Sequence, residues 1–314
     1  YEDKLFAVGT NGTISVRQTE TGSWVGQPSN MPDDNDLFAV AASGDNDIYA
    51  FGANGSVLEW LGTSWQTIFV GAQNYASSTY VAAAWAKGIG DRPGRWLVVG
   101  EAGGGISSED AEEWVDQVTQ PHGGLTALSE DAQGQLWAVG RDGLLLLRQG
   151  GAWSSVSTGT TEDLFGLAHQ DDGTIWMVGA AGLVMSRSPE GVFTQHAVPA
   201  FTDLLTVHVD GELVIIGGKG GALLRREGAD EGFLPWVLGI TQDVRDILQD
   251  EAGQLWLAGG FGSLYRVNGD EVALKIATGV SSSLNALARH GDRVIAVGDG
   301  GIVLEIDPQD DVLR

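Results

Sequence analysis

The chain alternates short apolar runs with clusters of glycine and acidic residues, and this pattern recurs along its length. In one repeat the apolar runs begin at Leu164, Ile175 and Leu183, separated by polar or glycine-rich segments. None of these runs reaches the ~10 to 12 residues of a typical helix, so they predict β-strands A, B and C joined by tight turns, with a two-residue turn between B and C. An aromatic residue opens a weaker fourth strand, D, in six repeats: Trp24, Trp65, Trp114, Trp153, Phe193 and Trp236.

Strand B ends on the same phrase, Gly-x-x-Gly, eight times. The first glycines are Gly9, Gly52, Gly100, Gly140, Gly179, Gly217, Gly259 and Gly298, spaced 43, 48, 40, 39, 38, 42 and 39 residues apart. A period near 40 residues predicts stacked or radial units. Four antiparallel strands per unit, without a helical pattern, predict an all-β fold. We expect a β-propeller of eight four-stranded blades, with seven blades as the alternative, in a single domain covering residues 1–314.

The number of innermost strands leaves the first blade incomplete. Strand A is found seven times, beginning at Leu37, Tyr80, Leu125, Leu164, Leu204, Val244 and Leu284. Two explanations are open for the first repeat. The C-terminal segment 311–314 could help to close it, or the N-terminus could have been cut short.

Composition excludes several classes of function. The chain has 314 residues, of which 43% are hydrophobic, so it can bury a core. Its 17 Lys and Arg against 42 Asp and Glu leave a net charge of −25, which repels nucleic acids and anionic membrane surfaces. It has no cysteine, and no apolar run is long enough to cross a bilayer. Because the chain starts at Tyr1 without an initiator Met, we expect an exported form that is extracellular, periplasmic or on a cell surface.

The Trp-x-x-Val-Gly-x-x-Gly phrase and the Trp that opens strand D resemble those of BNR-like or sialidase-like bacterial repeat propellers. This class includes the photosystem II assembly-factor type and secreted propellers of myxobacteria. The resemblance covers nearly the whole chain and implies the fold. The segment from Ser107 to Trp114 resembles a degenerate Asp-box, since it keeps the first Ser and the final Trp but lacks the Gly and Thr.

Aspartates stand directly before four of the seven A strands: Asp36, Asp163, Asp203 and Asp243. Because strand A of a propeller blade begins at one mouth of the central channel, these carboxylates predict a partial ring there. His122 lies near the same predicted mouth. Such a ring could bind a cationic group of a partner or a calcium ion, although no cofactor is otherwise indicated. Alternatively, each aspartate caps a turn.

The link between strands A and B of the third repeat is unusually long. It concentrates cations in an acidic protein, and this predicts a contact for a partner through Trp85, Lys87, Arg92 and Arg95. Variation in loop length without any function is the other interpretation.

No catalytic motif stands out, so we predict a non-enzymatic propeller that binds a protein or another ligand. The first alternative is a lectin with repeated glycan pockets built around exposed tryptophans. The second is a sialidase-type glycoside hydrolase, which would need arginines that converge on one point. The candidates close strand C: Arg17, Arg148, Arg187 and Arg225.

Overall fold

The computed structural model describes residues 5–17, 23–31, 35–44, 47–68, 79–86, 94–100, 104–111, 114–118, 124–149, 152–228, 231–268, 272–290, 292–308 and 312–313. Consecutive antiparallel sheets follow one another along the chain and form an eight-bladed β-propeller, as predicted. By contacts, the chain divides into two compact units, Tyr1–Thr161 and Glu162–Arg314, with four blades each. The single domain over residues 1–314 stays a prediction.

The first unit contains blades one to four. In the described part of the chain, blade one has three strands, β1 (Phe6–Val8), β2 (Ile14–Arg17) and β3 (Trp24–Gln27). Blade two has β4 (Leu37–Gly44), β5 (Asp47–Gly52), β6 (Val57–Trp60) and β7 (Trp65–Thr67). Blade three has β8 (Tyr80–Ala86), β9 (Arg95–Gly100), β10 (Gly104–Ser108) and β11 (Val115–Val118). Blade four has β12 (Leu125–Glu130), β13 (Leu136–Gly140), β14 (Leu145–Gln149) and β15 (Ala152–Ser155).

The second unit contains blades five to eight. Blade five has β16 (Leu164–His169), β17 (Ile175–Gly179), β18 (Val184–Arg187) and β19 (Phe193–Gln195). Blade six has β20 (Leu204–Asp210), β21 (Leu213–Gly218), β22 (Leu223–Glu227) and β23 (Leu234–Pro235). Blade seven has β24 (Val244–Gln249), β25 (Leu255–Gly259), β26 (Leu264–Asn268) and β27 (Val272–Ile276). Blade eight has β28 (Leu284–His290), β29 (Arg293–Gly298), β30 (Ile302–Asp307) and β31 (Val312–Leu313).

All seven A strands begin at the residue that the sequence predicted. Each first residue is almost completely buried, since its exposed fraction does not exceed 2%. A β-bulge follows it in every case, for example between Leu204 and Thr206. The bulge places two residues of strand A opposite one residue of strand B, which redirects the second side chain. Phe38, the second residue of β4, is 48% exposed.

The link between strands B and C is a three-residue 3-10 turn where the described residues include it, and not the two-residue turn that we predicted. These turns are Thr10–Gly12, Ala53–Gly55, Arg141–Gly143, Ala180–Gly182, Lys219–Gly221, Gly260–Gly262 and Asp299–Gly301. The middle residue is left-handed, and so is the glycine after it. In the sixth repeat the flanking glycines are Gly218 and Gly221, so the predicted register at Gly217 was one residue early.

Hydrophobic side chains fill the spaces between neighbouring blades within each unit. One such layer joins Tyr49 and Phe51 of blade two to Trp96 and Ile106 of blade three. In the second unit, Trp256 and Leu264 of blade seven pack with Val294 and Ile306 of blade eight. Each blade is therefore stabilised by its neighbours in the sequence, as expected for a repeat protein.

The C-terminal strand corrects one prediction. Val312 and Leu313 pair with Asp307 and Ile306 of β30, so the described part of the C-terminal segment is strand D of blade eight and does not complete blade one. A short connection after strand C favours this antiparallel pairing with the adjacent edge. Eight sheets are present, so the seven-bladed alternative is wrong.

Candidate functional site

The predicted aspartates lie where the chain enters a new blade. Their side chains accept hydrogen bonds from the backbone N–H of the middle residue in the preceding blade's B–C turn: Asp36 from Asn11 (2.8 Å), Asp203 from Ala181 (3.2 Å) and Asp243 from Gly220 (2.9 Å). These three carboxylates therefore cap turns and join neighbouring blades. The backbone carbonyl of Asp163 accepts the N–H of Ala180 at 2.8 Å.

A glycine is required beside each of these aspartates. A Cβ at Gly179 would lie 2.0 Å from the carbonyl oxygen of Asp163, and one at Gly259 would lie 1.7 Å from that of Asp243. Both distances are too short for any side chain. The first glycine of the repeated phrase thus allows the B–C turn to contact the start of strand A.

Charged and polar side chains form contacts within blade six and between blades seven and eight on the side of these turns. Lys219 Nζ lies 2.7 Å from Asp203 Oδ2, and this hydrogen bond lowers the pKa of Asp203 and raises that of Lys219. Arg245 donates to Asn285 Oδ1 at 2.8 Å, and Asn285 donates to Asp299 Oδ1 at 2.7 Å. The aspartates are thus already engaged by protein groups. Among the described residues, no three acidic or histidine side chains are grouped as metal ligands would be.

The third-repeat link is only partly described. Lys87, Arg92 and His122 lie outside the described residues. Trp85 is in strand β8, where its ring lies 5.1 Å from that of Trp96 at an angle of 60°. Arg95 opens β9 and forms an ion pair with Glu109. The predicted role of this link in partner binding stays a prediction.

An apolar groove with a volume of about 260 Å³ lies along blade six, and we call it the blade-six groove. Its walls are Pro199 and Ala200 before β20, strand C at 222–224, and the segment 235–241 that leaves strand D. Phe201 follows the wall residue Ala200 and is 94% exposed, while Val237 in the wall is 84% exposed. Leu234, on the two-residue strand D, is 68% exposed.

A second depression, about 210 Å³ in volume, lies between blades five and six, and we call it the polar cavity. Its lining includes Gln170, Asp172, Ser186, His196, Glu212 and Arg226. Nε2 of His196 lies 2.8 Å from Oγ of Ser186. Burial, and secondarily the Arg226 charge, lower the pKa of His196, so its imidazole is neutral at pH 7.

The sequence pattern did not predict either depression. A signal for the polar cavity existed in His196, which lies at the end of strand D, at the position where other blades carry Ile68, Val156 or Ile276. The signal for the groove was weaker. Phe201 is the one aromatic residue in the linker 197–203, and its exposure depends on how the linker turns.

The tryptophans are mostly internal. Seven of the eleven are no more than 9% exposed: Trp60, Trp65, Trp96, Trp114, Trp137, Trp176 and Trp256. A lectin of the predicted kind would need equivalent exposed tryptophan faces between its blades, and these buried rings do not offer them. Trp114 instead closes the C–D turn of blade three, since its Nε1 donates to the carbonyl of Ala111 at 3.0 Å.

The fold defines the protein as a β-propeller. No family model matches the chain, and no curated protein matches it either. Among solved structures, YCF48 from Cyanidioschyzon merolae is 17% identical with a TM-score of 0.67, and the match covers 90% of this chain and 98% of that one. A structure of YCF48 bound to D1 peptide is 17% identical with a TM-score of 0.63, covering 97% and 88%.

A lyase is also structurally similar. Virginiamycin B lyase from Staphylococcus aureus is 9% identical with a TM-score of 0.70, and the match covers 87% of this chain and 94% of that one. At these identities the similarity concerns the fold. Within the described part of the chain, no helix is long and apolar enough to cross a membrane.

Proposed function

We propose that the chain is a non-enzymatic protein-interaction propeller whose blade-six groove binds an apolar segment of a partner protein. The observation that carries this proposal is that the groove is flanked by two of the most exposed hydrophobic side chains, Phe201 and Val237. Contiguous exposed apolar surface is uncommon on soluble proteins and marks sites of interaction. Aromatic residues beside a pocket are frequent anchors of binding energy.

The geometry of strand D in blade six favours a partner that binds through its side chains over a partner that adds a β-strand to the sheet edge. Strand D of blade six consists only of Leu234 and Pro235. Proline has no N–H to offer a further strand, so it protects a sheet edge from pairing. The partner segment is therefore expected to insert apolar side chains into the groove.

The net charge of the chain predicts which residues lie on either side of the apolar anchor in the partner segment. A net charge of −25 attracts cationic partners and accelerates their association. We therefore expect Lys or Arg on either side of the apolar anchor. The solved complex of YCF48 with a peptide supports peptide binding as a function that this fold can carry.

A binding role also agrees with the arrangement of the strand C arginines in the second unit. Arg187 lies over the ring of Phe193, Arg225 over that of Trp236 and Arg266 over that of Trp256. Each arginine thus stacks within its own blade, whereas a sialidase-type site needs arginines that converge. We further propose that the protein is exported, which would offer extracellular or envelope proteins as partners.

Selection of peptides by phage display on the full chain tests this proposal. Selected peptides should carry an apolar anchor with a basic flank, and their affinity should be measured by calorimetry. We expect Phe201→Ala and Val237→Asp each to weaken binding about tenfold, because the loss of one anchor costs about 1 to 2 kcal/mol. Phe261→Ala is the matched control, since Phe261 is 80% exposed on a turn of blade seven.

The outcomes separate the candidate occupants. Failure to select any peptide, or equal loss of affinity in the Phe261 control, contradicts the proposal. If Phe201→Ala instead converts a dimer to a monomer in light scattering, the groove binds a second copy of this chain. Retention of glycans but not peptides on arrays would favour the lectin alternative.

A further inference from the structure

The polar cavity lies where blade five departs from the repeat. The backbone N–H groups of Ile68, Val156, His196 and Trp236 donate to equivalent carbonyls of their strand C neighbours, so these residues share one structural position. Three of the four are apolar, and of these four blades only blade five has a histidine there. The equivalent residues of blades one and three, which pair with Ile14 and Gly105, are Gln27 and Gln117. An apolar residue, as in blades two, four and seven, would fill the space.

A second departure concerns the turn between strands A and B. In blades four and seven one aspartate caps this turn and also accepts the indole N–H, as Asp250 does from Trp256 at 3.0 Å. In blade five these tasks are divided. Gln170 accepts from Trp176 at 3.0 Å, and Asp172 accepts from the N–H of Thr174 at 2.8 Å. Asp172 is also one of the residues that line the polar cavity.

Neutral hydrogen-bonding groups dominate the lining. Ser186, Ser188 and Thr194 contribute hydroxyl groups, each able to donate and to accept. Gln170 contributes an amide, and His196 contributes a neutral imidazole. Such a mixture of donors and acceptors matches a ligand whose own groups are hydroxyls.

The charges in the polar cavity disfavour an anionic ligand and partly cancel one another. Arg226 is 9% exposed and lies against the ring of Trp176 at 4.9 Å, so its guanidinium is part of the wall. Asp172 and Glu212 are exposed carboxylates on the same lining. The two carboxylates repel an anion, and the guanidinium in the wall offsets part of their attraction for a cation. Carboxylates and a guanidinium can all bond to neutral hydroxyls.

The lining is held in place before any ligand arrives. The ring of His196 lies 4.9 Å from that of Trp176 and 5.9 Å from that of Phe233. Arg226 Nε donates to the carbonyl of Glu231 at 2.9 Å. Side chains fixed in this way lose little entropy on binding, which favours affinity and selectivity.

We propose that the polar cavity binds one neutral, polyhydroxylated ring, such as a monosaccharide. The volume of about 210 Å³ is below the ~300 to 1,000 Å³ of pockets for drug-sized ligands and suits a single sugar ring. This ring can be a free sugar or the terminal residue of a glycan. The site is independent of the blade-six groove.

The test is saturation-transfer NMR of the full chain with a panel of neutral monosaccharides, alongside lysine, glutamate and inorganic phosphate as charged probes. At least one sugar should give saturable binding in the millimolar range or tighter, and the charged probes should not. A glycan array then distinguishes the two sources. If the protein binds a sugar only where it is the terminal residue of a glycan, the ligand is a glycan. If the free sugar binds equally well, the ligand is a small molecule.

Matched variants connect the signal to the cavity. His196→Ile restores the residue found in blades two and seven and should abolish binding without loss of folding. Asp172→Asn keeps the oxygen that caps the turn but removes the charge, and should weaken binding about tenfold. Asp171→Asn is the control on an exposed neighbour outside the lining. Absence of saturable binding to any sugar, preference for a charged probe, or binding unchanged by His196→Ile would overturn the proposal.

Discussion

Asp246 occupies a position in strand A where the other blades carry a small side chain. The equivalent residues, directly after the bulge, are Ala39, Ala82, Ala127, Gly166, Thr206 and Ala286. The carboxylate accepts the N–H of Leu287 at 2.7 Å and that of Ile247 at 2.9 Å. It therefore joins the innermost strands of blades seven and eight.

The burial of Asp246 predicts a dependence of stability on pH. Burial raises its pKa from 3.8 to about 6, although its two hydrogen bonds to backbone N–H groups act in the opposite direction. The folded state binds the proton of Asp246 more tightly than the unfolded state does. The resulting contribution to the free energy of unfolding is therefore complete below about pH 4 and is lost as the pH rises through about 6. The loss should be about 3 kcal/mol, since one pKa unit corresponds to about 1.4 kcal/mol.

Urea denaturation of the wild type and of Asp246→Asn between pH 4 and pH 7 measures this effect. The amide cannot ionise, so the wild type should lose stability relative to the variant as the pH rises over this range. Asp171→Asn, at an exposed site, is the control for a general effect of charge. A constant difference between wild type and Asp246→Asn across the range would contradict the assignment.

The B–C turn is the element that joins one blade to the next. Its first glycine lies against the residue before its own strand A, and its second glycine lies against the linker that leads to the following blade. A Cβ at Gly182 would be 2.1 Å from the carbonyl oxygen of Ala200, with φ at +80°. The repeated phrase is therefore a contact between blades as well as a turn.

Two glycine substitutions separate steric from conformational effects, one at Gly182 in the B–C turn of blade five and one at Gly239 in the linker after strand D of blade six. Gly239 has φ at +73° but nothing within 4 Å of its missing Cβ, so Gly239→Ala should cost only the conformational strain of about 1 kcal/mol. Gly182→Ala adds the clash with a backbone carbonyl and should cost roughly 2 to 4 kcal/mol. Free energies of unfolding from urea titration compare the two. Equal costs would mean that the linker moves freely and is not held by the turn.

At the scale of strands, the sequence predicted the first residue of all seven A strands correctly, but Trp236 follows strand D of blade six and does not open it. The first residues of the A strands were assigned without error because a large apolar residue follows a polar one at a point where burial is complete. The bulges in the A strands were not predicted, since a bulge depends on pairing with strand B and is not marked by a particular residue type. The shift from Gly217 to Gly218 had a similar origin, because two Gly-x-x-Gly phrases, 217–220 and 218–221, overlap there and only strand pairing selects one.

At the scale of the whole molecule, the excess of acidic residues predicts self-repulsion at neutral pH. The net charge is −25 and the calculated pI is 4.2. Raising the ionic strength from about 0.01 to about 0.15 M shortens the screening length from about 30 to about 8 Å, which weakens this repulsion. We therefore expect the melting temperature at pH 7 to rise by a few degrees with NaCl.

Differential scanning fluorimetry across a NaCl series measures the shift, and the same series near pH 4.2 is its control. Close to the pI the net charge vanishes, so the rise should be much smaller there. A fall in melting temperature with salt at pH 7 would mean that attractive ion pairs outweigh the repulsion.

The sequence by itself determined the architecture, because the spacing of the repeats, the length of the strands and the glycines of the turns are local features that recur along the chain. It could not determine the two depressions. The blade-six groove requires the linker after Pro199 to leave Phe201 in solvent, and the polar cavity requires Glu212 and Arg226 of one blade to meet His196 of another. The aspartates show the same limit. Their spacing was visible, but only the tertiary structure decided that Asp36, Asp203 and Asp243 bond to the turn of the preceding blade, since hydrogen bonds between distant residues depend on packing and not on residue type.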